Sequence, residues 1–143
     1  MPMLAELVDT VVGVDTHKHT NTAAVVSAMT AAVIETTAAG TDPDGPQHLL
    51  NTAERCGGLR VWAIEGANGY GAGLARFLSV RGELVIELDR PQRAKRRHGA
   101  KSDPIDAVRA AREALSRDHL SEPRAEGERQ ALSVRLAARR LAV

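Results

Sequence analysis

Residues 11–37, VVGVDTHKHTNTAAVVSAMTAAVIETT, decide the fold of this chain. They contain three short apolar runs, at residues 11–15, 23–27 and 32–37, and each run has the length and composition of a strand. The connections between these runs are too short to hold a crossover helix, so neighbouring strands must run antiparallel. We therefore predict that the sheet begins with a three-stranded antiparallel meander.

After residue 40 the pattern changes to alternating helices and strands. The periodicity predicts a helix after Asp44, a strand at residues 60–65, a helix at 74–80, a strand at 83–88 and a helix opening at Ser102 or Asp103. Parallel βαβ units that follow a meander make a mixed five-stranded sheet with helices on both faces. This is the ribonuclease-H-like order, an α/β fold.

The same sequence pattern predicts three details of the helices. Asp44 is placed to cap the first helix, with Pro46 in its first turn. In the last helix, we expect Ile105, Val108 and Leu115 to face the core. Residues 130–143 read as a further helix, a carboxy-terminal linker helix without a visible partner in the chain.

Composition and charge narrow the function classes. The chain has 143 residues, of which 43% are apolar and 26% charged, a globular balance. Aromatic residues make up only 2%, which argues against binding single strands by stacking on aromatic side chains. The net charge of +1 hides an asymmetry, since residues 81–143 carry fifteen Lys and Arg against ten Asp and Glu. A basic carboxy-terminal half suggests a polyanionic partner.

Other features exclude several classes. Cys56 is the only cysteine, so an intrachain disulfide and a cysteine zinc cluster are both ruled out. The amino terminus lacks the basic segment and apolar core of a secretory signal. No apolar run approaches the roughly 18 residues that span a bilayer. We therefore expect a cytoplasmic protein that is associated with the nucleoid and has no membrane partner.

Four carboxylates, those of Asp15, Glu65, Asp103 and Asp106, are the main candidates for chemistry. Each one alone has a structural explanation. Asp15 is also a common turn residue after a strand, Glu65 precedes a glycine turn, and an aspartate in a first helical turn is stabilised by the helix dipole.

Their placement together indicates more. Asp15 and Glu65 each end a predicted strand, and parallel strands bring such ends to one edge of the sheet. Asp103 and Asp106 are three residues apart, so they share a helix face. Clustered carboxylates supply the hard oxygen ligands that paired divalent ions require. The sequence thus predicts a site that holds metal against a phosphodiester.

A basic segment leads into the last helix. It places six cations within twelve residues: Arg90, Arg93, Lys95, Arg96, Arg97 and Lys101. We interpret it as a phosphate-binding arm, with a solvated basic loop as the alternative. The glycine-rich stretch 66–73 does not match a phosphate-loop pattern, and His17 and His19 are best explained as polar turn residues.

Three blocks in this order resemble the amino-terminal domain of the DEDD insertion-sequence transposases of the IS-one-ten class, relatives of the Piv site-specific invertase. The blocks are VGVDTHK, AIEGANGYGAGLARFL and VIELDRPQRAKRRHGAKSDPIDA, and the resemblance covers roughly residues 11–120. KSDPIDA after an arginine-rich stretch is the specific element, while GVDTHK alone is weak.

The resemblance implies a RuvC-like fold in which Asp15, Glu65, Asp103 and Asp106 bind Mg²⁺ or Mn²⁺. It also implies DNA as partner, a noncoding guide RNA and oligomeric assembly. Residues 1–120 would form the RuvC-like domain, and residues 121–143 the start of a coiled-coil linker to a serine-bearing domain that this chain lacks. We therefore expect a transposase domain that takes part in strand cleavage and joining but is incomplete alone.

Two alternatives stay open at this level. One is a non-catalytic, nucleic-acid-binding remnant of a truncated transposase. The other is a phosphotransferase of the sugar-kinase and actin type, which shares the early sheet but requires phosphate turns and a second copy of the fold that the sequence does not show.

Overall fold

A computed structural model describes residues 4–67, 69–88 and 103–117 of the chain. A single 3-10 turn, Leu4–Glu6, precedes the first strand. The strands are β1 (Thr10–Thr16), β2 (Thr20–Ser27), β3 (Val33–Gly40), β4 (Arg60–Glu65) and β5 (Val85–Leu88), and the helices are α1 (Gly45–Cys56), α2 (Ala72–Val80) and α3 (Asp103–Ser116). No helix within these ranges is long and apolar enough to cross a membrane.

The five strands form one mixed sheet in the order β3-β2-β1-β4-β5. The first three strands pair antiparallel, as a meander, while β4 pairs parallel to β1 and β5 parallel to β4. This topology confirms the predicted ribonuclease-H-like fold. β1 lies at the centre, and all seven of its residues are buried.

Alternate residues of β1 pack into two hydrophobic cores, one on each side of the sheet. Val12 and Val14 pack with the buried faces of α1 and α2 on one side of the sheet. Val11 packs on the other side with the buried alanines of α3. Since Gly13 and Asp15 follow Val11 at a spacing of two, they point to the α3 side as well.

The core-facing side of α3 differs from the sequence prediction. Ile105 is 66% exposed and Val108 is only partly buried, while Leu115 packs at the margin of the core. The buried stripe consists instead of small residues: Ala107, Ala110, Ala111 and Ala114. The apolar periodicity predicted the wrong inward face for α3, because a helix that approaches a sheet very closely needs small side chains at the contact.

Gly13 is the point of closest approach. A Cβ atom at this position would lie 2.1 Å from the carbonyl oxygen of Ala107 and 2.5 Å from the amide nitrogen of Ala111. Both neighbours are helix backbone and cannot move independently of α3. Glycine in β1 and alanine in α3 are therefore joint requirements for seating this helix.

A polar network ties β4 to the turn before β5. Arg60 donates two hydrogen bonds to the Glu83 carboxylate, at 2.8 and 2.9 Å, and Trp62 Nε1 donates a third at 2.9 Å. The indole nitrogen of a fully buried tryptophan thereby has its partner. At the start of α1, Asp44 occupies the predicted cap position and Pro46 lies in the first turn, but the Asp44 side chain makes no cap hydrogen bond.

We predict that Gly13→Ala destabilises the protein by about 2 kcal/mol or more, because the added methyl group overlaps helix backbone that cannot yield. Chemical unfolding monitored by circular dichroism would measure the loss. Gly73→Ala in α2 is the matched control, since a Cβ there meets nothing within 4 Å. It should be neutral or slightly stabilising, because alanine is the better helix former. Equal stability of the two variants would contradict the close contact of α3 with β1.

Candidate active site

One row of paired residues crosses the whole sheet on the side that α3 covers. From β3 to β5, the row consists of Ala38, Thr22, Asp15, Glu65 and Leu88, each the direct partner of the next. Paired residues on neighbouring strands point to the same face of a sheet. The row therefore places two carboxylates side by side at its centre, at the carboxyl ends of β1 and β4.

Both carboxylates lie inside the protein. Asp15 is 3% exposed and Glu65 is 1% exposed. They stand on adjacent parallel strands, about 4.8 Å apart along the hydrogen-bonding direction. Burying two like charges next to each other is costly unless cations or hydrogen-bond donors compensate them. This arrangement is typical of a site with a function rather than of a packing core.

Helix α3 carries a third buried carboxylate over this edge. The helix runs opposite to β1, since Ala107 lies against Gly13 whereas Arg112 donates to the Ala31 carbonyl at the other end of the sheet, at 2.9 and 3.0 Å. Asp106 is 7% exposed and lies one turn before Ala110 on the buried stripe. It forms an ion pair with Arg109 at 3.0 Å.

Two side chains beyond the predicted set hold the strand ends in place. Thr16 Oγ1 donates to the backbone carbonyl of Glu65 at 2.8 Å and so joins the ends of β1 and β4. His17 Nε2 lies 2.9 Å from Asp15 Oδ2. His17 was predicted to be a polar turn residue, but it contacts Asp15 and so orients this carboxylate. Its position two residues after Asp15, at the end of a strand, was the only signal.

The glycine-rich connection after β4 is packed against the same edge. A Cβ at Gly71 would lie 3.0 Å from the Gly66 carbonyl oxygen and 3.0 Å from Thr16 Cγ2. The amide of Gly71 also donates to the Gly66 carbonyl at 2.9 Å. The described residues of this connection thus form a tight turn that packs against the strand ends. Tyr70, within this turn, is exposed.

The structure describes the remaining predicted residues only in part or not at all. Asp103 is the first residue of α3, one turn before Asp106, but its side chain lies outside the described part. The basic segment also lies outside the described residues, with all six of its cations: Arg90, Arg93, Lys95, Arg96, Arg97 and Lys101. The linker predicted at residues 121–143 does too.

Within the described ranges, no three His, Cys, Asp or Glu side chains lie close enough together to hold a metal ion. The neighbouring pair of Asp15 and Glu65 nevertheless has the chemistry that a hard divalent cation prefers, since carboxylate oxygens are its usual protein ligands. Two buried carboxyl groups on rigid strands fit such a cation better than they fit a metal that prefers thiolate ligands.

Cysteine chemistry is excluded at this edge. Cys56 ends α1, on the opposite side of the sheet. Burial raises the pKa of its thiol, and the nearby Glu35 carboxylate adds to the effect. The group therefore stays protonated at neutral pH and is a poor nucleophile.

The amino-acid sequence of the chain matches a known protein family. No curated protein matches the chain significantly. Among solved structures, the chain is similar to T. thermophilus RuvC in complex with Holliday junction substrate, at 19% identity and a TM-score of 0.46, over 89% of this chain and 90% of that one. The sequence model of the DEDD transposases of the IS110 type, described as transposase, matches residues 12–142. The chain therefore belongs to the DEDD transposase family of the IS110 type.

Proposed function

We propose that this chain is a DNA-processing transposase domain in which Asp15, Glu65, Asp103 and Asp106 bind a divalent metal, Mg²⁺ or Mn²⁺, beside a DNA phosphodiester. The observation that carries the proposal is the direct pairing of Asp15 with Glu65 on two parallel strands under α3. Together with membership of a transposase family, it favours phosphodiester chemistry at the carboxyl edge of the sheet.

The four residues form two pairs, one held by the sheet and the other by α3. Asp15 and Glu65 are held by the sheet, where neither backbone can move without breaking strand pairing. Asp106, and Asp103 one turn earlier, are held by α3, so the seating of this helix on Gly13 sets their distance from the strand pair. When bound, the metal would act as a Lewis acid that neutralises charge on the phosphate and activates an attacking oxygen.

Neighbouring side chains keep these carboxylates oriented. His17 contacts one oxygen of Asp15, Oδ2, and so restrains the orientation of this carboxylate. Arg109 likewise pairs with one oxygen of Asp106. Ligand positions that are set in advance in this way lower the cost of ordering the site on binding.

DNA binding is the second part of the proposal. The six cations of the basic segment precede α3 directly in the chain and can contact the phosphate backbone close to the carboxylates. In this proposal residues 1–120 form the metal-binding domain and residues 121–143 belong to a helical linker. Guide RNA and oligomeric assembly, which the resemblance implies, belong to the same hypothesis.

We predict that Mn²⁺ raises the thermal unfolding temperature of the protein and that Asp15→Asn and Glu65→Gln each abolish the rise. Metal at 100 times its dissociation constant stabilises a folded protein by about 2.7 kcal/mol. For a chain of this size, the corresponding shift is roughly 5–10 °C. Differential scanning fluorimetry over a Mn²⁺ and Mg²⁺ series would measure it.

The control variants are Asp42→Asn and Glu54→Gln, which remove exposed carboxylates and should keep the full rise. Both site variants preserve side-chain shape, so circular dichroism should show a native fold. If the site variants respond to metal as strongly as the controls do, the metal hypothesis is wrong.

We further predict that changing Arg93, Arg96 and Arg97 together to Gln weakens DNA binding and lowers its salt dependence. Each phosphate contact contributes about 0.9 to the slope of log K against log salt, so three lost contacts reduce the slope by about 2–3. Fluorescence anisotropy with a labelled duplex would measure both quantities.

A triple change of Arg55, Arg76 and Arg81 to Gln removes the same charge from α1 and from the region of α2, on the other side of the sheet, and should leave the slope almost unchanged. Equal effects of the two triple variants would point to general charge attraction and against a DNA-binding arm. Salt-sensitive binding without metal-dependent cleavage of branched DNA would favour the non-catalytic alternative.

A further inference from the structure

A cavity of about 310 Å³ adjoins the row of carboxylates on the α3 side of the sheet. Strands β2 and β3 form its floor, and Pro104 at the start of α3 forms a wall. Its lining consists of Thr20, Thr22, Thr36, Thr37, Ala38 and Pro104. We call this cavity the threonine trough, after Thr20, Thr22 and Thr36, whose side chains share this face.

The pairing of the strands locates the trough next to the candidate metal site. Thr22 is the direct partner of Asp15 across the β1–β2 pair, and of Ala38 across the β2–β3 pair. Its strand therefore lies about 4.8 Å from the strand of Asp15, on the side away from Glu65. The trough thus extends the carboxylate row by two strands toward the edge of the sheet.

The hydroxyls of Thr20, Thr22 and Thr36 are available to contact a ligand in the trough. In the part of the chain that the structure describes, neither Thr20, Thr22 nor Thr36 makes a side-chain hydrogen bond, although Thr22 is only 3% exposed. Thr37, whose side chain points to the other face, does have a partner, because its Oγ1 lies 3.0 Å from His48 Nε2. Thr22 is a buried residue that lines the trough, Thr20 is half-buried and Thr36 is exposed. Valine would serve these strand positions equally well, so the threonines are not needed for the sheet itself.

The chemistry of the trough suggests what fills it. Three hydroxyls can donate to phosphate and sugar oxygens, the usual contacts of threonine in protein–DNA complexes. They carry no charge of their own, so they add no repulsion beside Asp15. A volume of about 310 Å³ is far more than the roughly 30 Å³ of one water and lies within the range of ligand sites.

We propose that the threonine trough holds the sugar-phosphate backbone of the DNA strand, adjacent to the phosphodiester that lies at the carboxylates. The proposal rests on the proposed function, since it assigns a subsite to the same substrate. Thr22, Thr36 and Thr20 are positioning residues here, because they fix where the strand lies and take no part in bond breaking.

The test compares the double variant Thr22→Val/Thr36→Val with wild type. We expect it to bind a labelled DNA duplex roughly tenfold or more weakly in Ca²⁺, which occupies carboxylate sites, because two hydrogen bonds to the backbone are lost. The slope of log K against log salt should stay the same, since a hydroxyl displaces no counterions. Stability in denaturant should not fall, because these hydroxyls have no partner in the described residues.

Thr10→Val is the matched control. Thr10 is also a buried strand threonine, and its Oγ1 has no partner within the described part, but it lies at the opposite end of β1. This variant should bind DNA like wild type. Equal DNA affinities of the double variant and the Thr10→Val control, with Mn²⁺ stabilisation intact in both, would overturn the trough while leaving the proposed function in place.

Two further outcomes decide the identity of the ligand. Wild-type protein that shows neither Mn²⁺ stabilisation nor DNA binding would overturn both proposals together. Calorimetric titration with inorganic phosphate separates a free anion from a DNA backbone. Phosphate binding that the double variant loses, with DNA affinity unchanged, would identify a free-phosphate site and overturn the assignment to DNA.

Discussion

The contact between α3 and Gly13 is the constraint on which the rest of the structure depends. Helix backbone approaches the central strand so closely that a single methyl group has no room. Only glycine in the strand and alanines in the helix permit this distance, which explains why larger apolar residues of α3 lie outside the core. The same contact sets how far Asp106 lies from the strand carboxylates, so packing and site geometry have one cause.

The parallel pairing of β1 with β4 is the second element of the site. It brings Asp15 and Glu65 to neighbouring positions at one sheet edge, where both are buried. Such a pair lowers stability unless something compensates the charge, and proteins keep unfavourable groups of this kind mainly where they bind or react. Thr22, the direct partner of Asp15 on β2, adds a polar group at the next position of the row. Along this row, the α3 side of the sheet carries polar side chains. The two hydrophobic cores, one on each side of the sheet, contain apolar side chains instead.

Much of this could be predicted from residues alone. Short apolar runs with short connections indicated the meander, and alternating helices and strands indicated the parallel half, because both signals depend on local periodicity. The family was recognisable from three sequence blocks because their residue identities and order are specific. The inward face of α3 was predicted wrongly, since periodicity favours Ile105 and Val108 and contains no information on how closely a helix approaches its sheet. The contacts of His17 and Arg109 were missed because they depend on rotamers.

The sequence by itself therefore determined the order of strands and helices, the family and the four candidate carboxylates. These properties are encoded in local patterns and in residue identity. Only the tertiary structure decided that Asp15 pairs directly with Glu65, that alanines face Gly13, and that Thr22 continues the carboxylate row into a cavity. Register and the depth of helix packing arise from contacts between segments far apart in the chain, and no local pattern specifies them.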